Sequence, residues 1–272
     1  MMYFSLISLG VGLAVMIAGR RLWQMWQIHK LRRSLTTANE LIVFTPDLVA
    51  NLPPPVQRYL LHAIAPGTPL ANAVQLDMQG SFKTNINKPW LPLKARQWMT
   101  ALSGFVWQAK IGKPQLQFIG ADSYCNRQGR VHFDLWGAIP LVDHHSDEIS
   151  RSSLGRLAIE MVWLPSALLP HNGVTWHALS EHHICAEWTM DDEPICLQLT
   201  IDNQGRLQHA ELSRWNEQIH GYSRFGSSFV SERTFNGITI PTQVAAGWNV
   251  DSPDYHEFFR AVVHDAKFST TV

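Results

Sequence analysis

Charge is scarce in this chain and evenly split: Asp, Glu, Lys and Arg make up 16% of its 272 residues, with 22 basic and 22 acidic side chains. No global field of either sign is present to draw in nucleic acid, so no nucleic-acid partner is expected. Cysteine is nearly absent as well. Cys125, Cys185 and Cys196 are an odd number without C-x-x-C spacing, which signals neither a disulfide framework nor a zinc site and favours a reduced compartment. Also missing are G-x-S-x-G, H-E-x-x-H, a phosphate loop and a dinucleotide fingerprint, so no catalytic residue, metal or cofactor is assigned from motifs.

One absence is local. Met1 to Gly19 contains no charged side chain, and Phe4, Leu6, Ile7, Leu9, Val11, Leu13, Val15, Met16 and Ile17 make it apolar. At about 1.5 Å per residue it spans roughly 28 Å, against a hydrocarbon thickness of ~30 Å. Arg20, Arg21, Lys30, Arg32 and Arg33 follow this run, whereas a cleaved signal peptide carries its positive charge before it. Trp23 and Trp26 suit the lipid interface. Residues 1–19 are therefore expected to form a single-pass transmembrane anchor in the cell inner membrane. Residues 20–45 then form a basic juxtamembrane tether, and a helix buried in the domain is the alternative for the first segment. The basic flank places the globular part on the cytoplasmic side.

What the chain has in quantity is apolar surface. Hydrophobic residues reach 46% and there are 11 tryptophans, which implies a large core or a core with a hollow in it, core packing being the simpler use of the rings. Asn51 to Pro55 opens a short helix over about 56–63, because proline suits a helix's first turn. The period then becomes two: Val74, Leu76 and Met78; Phe105, Trp107, Ala109 and Ile111; Val131, Phe133 and Leu135. Further strands are expected over 182–190, 194–202, 206–215, 228–235, 238–248 and 257–268. Asp191-Asp192, Asn203-Gln204-Gly205 and Asn236-Gly237 mark hairpin turns, so the sheet reads as antiparallel. If Asp191 and Asp192 make a turn, Cys185 and Cys196 become diagonal neighbours able to pair.

One internal helix carries Leu154, Leu157, Ala158 and Met161 on one face, and Pro165 is expected to end it. Such a stripe packs into the concave side of the sheet, because an apolar sheet face must be covered. The fold class is α+β, mainly β: a curved antiparallel half-barrel closed by one or two helices, forming a single domain over 46–272.

The strings LPPPVQRYLLHAIAPGTPL (52–70) and GRLAIEMVWLPSALLP (155–170) resemble a bacterial family of membrane-associated proteins known only as a domain of unknown function. The resemblance extends over about residues 45–268, through FVW (105–107), DLWGAIP (134–140) and ERTFNGITIP (232–241). It implies a fold similar to that of lipoprotein-localisation-factor (LolA-like) domains and carries over no catalytic residue.

Trp107, Trp136, Trp163 and Trp248 are the candidates for an apolar lining. Arg156 and Glu160, at i and i+4, read either as an exposed surface pair, the simpler case, or as a buried pair holding a polar headgroup. Asp143, His144, His145, Asp147 and Glu148, with Glu181, His182 and His183, read as solvated loops rather than a metal site, since adjacent strand residues point to opposite faces. The leading functional reading is a membrane-tethered module binding a lipid or other apolar ligand. The alternatives are a hydrolase-type enzyme using Asp122, His132 or Asp134, and a scaffold for a protein partner.

Overall fold

The computed structural model describes residues 42–270, together with Gly19. A short helix α1 (Pro54–Ala63) precedes six strands: β1 (Ala73–Phe82), β2 (Leu91–Thr100), β3 (Gly104–Lys113), β4 (Leu116–Cys125), β5 (Gln128–Leu135) and β6 (Ile139–His144). A second helix α2 (Asp147–Glu160) follows, then three short 3₁₀ turns. Seven more strands complete the chain: β7 (Thr175–Ala178), β8 (His183–Met190), β9 (Glu193–Ile201), β10 (Leu207–Asn216), β11 (Gly221–Phe235), β12 (Ile238–Trp248) and β13 (His256–Ser269).

All thirteen belong to one sheet in the order β6-β5-β4-β3-β2-β1-β13-β12-β11-β10-β9-β8-β7. Each paired neighbour is antiparallel, and the first and last strands pair at its centre. The sheet therefore grows outward from β1 and β13 as two meanders. Its edges, β6 and β7, are consecutive in sequence, and α2 must cross from one to the other. It does so on the concave side, packing against β3, β4 and β5 on one flank and β9 and β10 on the other. Two-residue turns at 126–127, 191–192 and 236–237 hold both central residues at positive φ, the geometry whose twist matches the flanking strands.

Helix α2 begins where Ser146 Oγ accepts the Ile149 N–H at 3.1 Å, and Asp147 and Glu148 occupy its positive end. Leu154, Leu157, Ala158 and Met161 are buried against the sheet, as their spacing predicts. Two glycines set how closely it docks. A Cβ on Gly129 of β5 would stand 2.7 Å from the Ile149 carbonyl, and one on Gly155 would stand 2.8 Å from Cγ of Arg214. Helix α1 packs on β7, β8 and β12, where Tyr59 meets Trp176 with ring centroids 6.0 Å apart.

The expected β10, β12 and β13 agree with the structure to within a residue or so at each end, whereas β2, β4, β6 and β7 have no counterpart in the period-two reading. Pro165 does not end α2; the helix stops at Glu160 and the chain continues through 3₁₀ turns over Met161–Trp163 and Pro165–Leu168. The anchor over 1–19, apart from Gly19, and the tether over 20–45, up to residue 41, lie outside the described residues. Among the described residues no helix is long and apolar enough to cross a membrane.

Candidate functional site

A second stripe runs from α2 into the 3₁₀ turn that follows it and borders a hollow in the sheet. Arg156, Ile159, Glu160 and Trp163 follow the same i, i+3, i+4, i+7 spacing, and all four line a cavity of about 450 Å³ between the helix and the sheet. Its walls are mainly rings and aliphatic chains: Phe82, Trp107, Phe118, Phe133, Phe225, Phe258 and Phe259, with Ile111, Val131 and Val244. Trp107 tilts against Phe133 and meets Phe259 edge to face, with centroids 6.4 Å apart in both cases. Leu141 of β6 both lines the cavity and is half exposed, so the cavity opens beside that edge strand.

A cluster of charges interrupts the apolar lining. Arg156 Nε donates to Glu160 Oε1 at 2.8 Å, and its Nη1 donates to Asp122 Oδ2. Gln97 Nε2 donates to the other oxygen of Glu160 at 2.6 Å. The three charged side chains are only 13–16% exposed. Burial opposes the charge on Arg156, but the adjoining Glu160 and Asp122 outweigh it and hold its pKa above the ordinary arginine value. The guanidinium also lies 4.6 Å over Phe105 and 5.0 Å over Trp107. This hub ties α2 to β2 and β4 across the cavity. It is incompletely satisfied: Asp122 Oδ1 and the indole N–H of its cross-strand neighbour Trp107 are buried without a partner.

Arg214 of β10 forms the facing charge. Its Nε donates to the Ser152 carbonyl at 2.9 Å and its Nη2 to Ser152 Oγ at 3.3 Å. It stacks 4.6 Å from Phe225 and 5.0 Å from Trp248. Burial, and next the positive charge of Arg156, push its pKa down to about 10, so it remains a cation at neutral pH.

One family's sequence model matches residues 50–268. The chain belongs to the family of unknown function DUF6920. No match is found among curated proteins. Among solved structures this DUF6920 chain is similar to the LolA superfamily protein of Nitrosomonas europaea, at 10% identity and a TM-score of 0.43, over 79% of this chain and 91% of that one. It is also similar to a protein of Vibrio parahaemolyticus described as an outer membrane lipoprotein-sorting domain, at 8% identity and 0.33, over 72% and 85%. A DUF1329 family protein of Desulfovibrio piger matches at 8% identity and 0.36, over 82% and 91%.

Of the residues singled out in the sequence, Trp107, Trp163, Arg156 and Glu160 come together in the cavity wall. The surface reading of Arg156 and Glu160 is corrected: α2 is covered on both flanks, so its i, i+4 pair faces the interior. Trp136 does not line the cavity. It is 42% exposed in the β5–β6 turn, at positive φ, with its indole donating to the Pro114 carbonyl. Trp248 is not in the lining either and stands behind Arg214 and Phe225. Asp122 and His132, offered as an acid and base, are on opposite sides of the sheet. Asp122 pairs with Val131 in register and both line the cavity, so the next residue along, His132, faces outward.

Arg214 was missed although a signal existed: Ala210, Leu212 and Arg214 share one face of β10, so a cation continues an apolar stripe. The His and acidic stretches are surface features: Asp143 accepts two bonds from Arg130 at 2.8 Å, and Glu148 pairs with His220 at 2.9 Å. Among the described residues, the grouping with metal-ligand spacing is instead Cys185, Glu187 and Cys196. The two Sγ atoms lie 2.8 Å apart, diagonal across the hairpin that Asp191 and Asp192 turn. A second hollow, of about 660 Å³, is lined by polar side chains including His183, Gln198, His209, Glu211 and Glu257, and does not suit an apolar ligand.

Proposed function

We propose that this protein binds a lipid or similar apolar ligand in the hollow of its curved sheet, and that residues 1–19 hold it at the inner membrane where such ligands reside. The observation that supports the reading is the cavity itself. At about 450 Å³ it falls within the ~300–1,000 Å³ range of small-molecule sites, and its largely aromatic wall with a few convergent polar groups is the usual composition of such a site. A core of this size gains from being filled, because every apolar wall left without contacts forfeits dispersion attraction. Retaining the void therefore calls for an occupant.

The test is to purify the full chain from its membrane and analyse extracted small molecules by mass spectrometry, beside an Ala246→Phe variant. Ala246 lines the cavity and is 6% exposed, so a phenyl ring there fills the space a ligand would take. A lipid that accompanies the native chain and is lost from a folded Ala246→Phe variant supports the reading. No lipid in either, with the melting temperature raised by the filled cavity, contradicts it.

A further inference from the structure

Arg214 is a cation with no carboxylate in direct contact, although Asp122, Glu160 and Glu217 act on it from a distance. Among the described residues it makes no ion pair, and its polar contacts are the carbonyl and hydroxyl of Ser152. The other arginine in the cavity wall, Arg156, already holds two carboxylates, Asp122 and Glu160. Those two acids and Arg156 sum to one negative charge, and the single positive charge that balances them, Arg214, stands apart from them at the wall. Glu217 is near enough to interact but makes no ion pair with it, and burial raises the pKa of Glu217 toward its neutral form.

An unpaired buried cation is costly unless something compensates it. Here two aromatic faces, Phe225 and Trp248, offset part of that cost. The fold also gives up helix stability to seat the side chain. Gly155 lies in mid-helix, where glycine is worse than alanine by about 1 kcal/mol, and an alanine Cβ there would meet Cγ of Arg214 at 2.8 Å. Nη1 of Arg214 has no partner among the described residues, and the side chain borders open cavity volume.

We infer that Arg214 is the headgroup subsite of the cavity and that the ligand is an anionic single-chain amphiphile, its carboxylate or phosphate head on Arg214 and its chain along the aromatic wall. This rests on the apolar-ligand reading above and adds the charge and size of the ligand to it. At about 450 Å³ the cavity lies in the lower part of the ~300–1,000 Å³ range of small-ligand sites, which suits one acyl chain better than two. The guanidinium fork suits both carboxylate and phosphate, which it can grip with two parallel bonds.

The experiment uses the full chain in nanodiscs of neutral phosphatidylcholine and reads quenching of tryptophan fluorescence by bromine-tailed twelve-carbon amphiphiles, with empty-disc partition subtracted. Three heads are compared on native protein, Arg214→Lys and Arg214→Gln: carboxylate, phosphate and alcohol. The expected result is that at least one anionic head binds about tenfold or more tighter than the alcohol. That advantage is expected to disappear in Arg214→Gln and persist in part in Arg214→Lys. The stronger of the two anionic heads identifies whether the ligand is a free acid or a phosphate ester. Equal binding of all three heads to native protein, or an anionic advantage that survives Arg214→Gln, overturns the inference and leaves the apolar cavity standing. No saturable binding of any head to native protein contradicts the cavity reading as well. Arg214→Lys keeps the test decisive if Arg214→Gln fails to fold.

Discussion

Arg127, at the tip of the β4–β5 hairpin, donates through Nη2 to the main-chain carbonyl of Asp191, at the tip of the β8–β9 hairpin, at 2.8 Å. Seven strands of the sheet lie between β4 and β9, so this contact records how far the sheet has curled: its two flanks meet around α2. The same tip pairs Arg127 with Asp192 and brings the Tyr124 hydroxyl onto Asp191. Nearby, Arg151 of α2 donates to Glu193 at 3.1 Å, fastening the helix to the clasp.

Tyr124 is 2% exposed and Asp191 less exposed than Arg127 or Asp192, so the bond between them is the least exposed contact of the clasp. Tyr124→Phe is expected to lower unfolding free energy by about 1 kcal/mol, read as a shift in urea midpoint at unchanged slope. Arg127→Ala, which removes exposed pairing, is expected to shift it by less than half as much.

Arg156 is the interior tie, and its loss leaves two buried carboxylates without an ion-pair partner. Arg156→Met is expected to cost about 3–5 kcal/mol and Glu160→Gln distinctly less, because Asp122 then still pairs with Arg156. Equal midpoints for Arg156→Met and the native chain would show that the hub is not buried.

In an exposed helix, Gly155→Ala would stabilise by about 1 kcal/mol. Here the added methyl runs into the stem of Arg214, and overpacking of this kind costs about 1–3 kcal/mol. The expected outcome in a thermal melt is a net decrease; an increase would mean that Arg214 is not held against α2.

His256 supplies a pH dependence. Burial, and then the charge of Lys83, lower its pKa below the ordinary 6.5, and its Nε2 is buried without a partner. The unfolded chain therefore takes up this proton more readily, so stability is expected to fall as pH drops below about 6.5 and to level off once the folded-state pKa is passed. His256→Gln is expected to flatten that part of a melting-temperature profile between pH 5 and 8.

Cys196 is exposed and Cys185 buried, and burial pushes the Cys185 thiol up. Alkylation of the folded chain is expected at Cys196 first. Treatment with a diazenedicarboxamide oxidant before denaturing alkylation should leave one reactive thiol, Cys125; three would show that the diagonal pair does not close.

How legible the fold was depended on what each strand does with its inner face. β12, with Ile238, Ile240, Val244 and Ala246 buried, reads as a strand from composition alone. β2 and β4 do not, because Gln97 and Asp122 take inward positions among Leu93, Ala95, Met99 and Tyr124. Those polar residues are the ones that bond Arg156 and Glu160, so the strands that build the site look least like strands. β6 and β7 were too short for a period to show. The helix stripe at Leu154, Leu157, Ala158 and Met161 is visible in the sequence, but for Arg156 and Glu160 the spacing favours a surface pair, since a sequence does not reveal that a sheet covers both flanks of a helix. Trp136 misled for the same reason: ring count says nothing about side, and its place in a turn at positive φ puts it outside.

The most direct test of an open apolar cavity is paramagnetic broadening of tryptophan indole N–H signals by a spin-labelled single-chain amphiphile. Trp107 and Trp163, in the cavity wall, are expected to broaden, while Trp176, whose indole is bonded to the Leu168 carbonyl in packed core, and exposed Trp136 stay sharp. Broadening confined to Trp136, or loss of all signals equally, would contradict a ligand site inside the sheet.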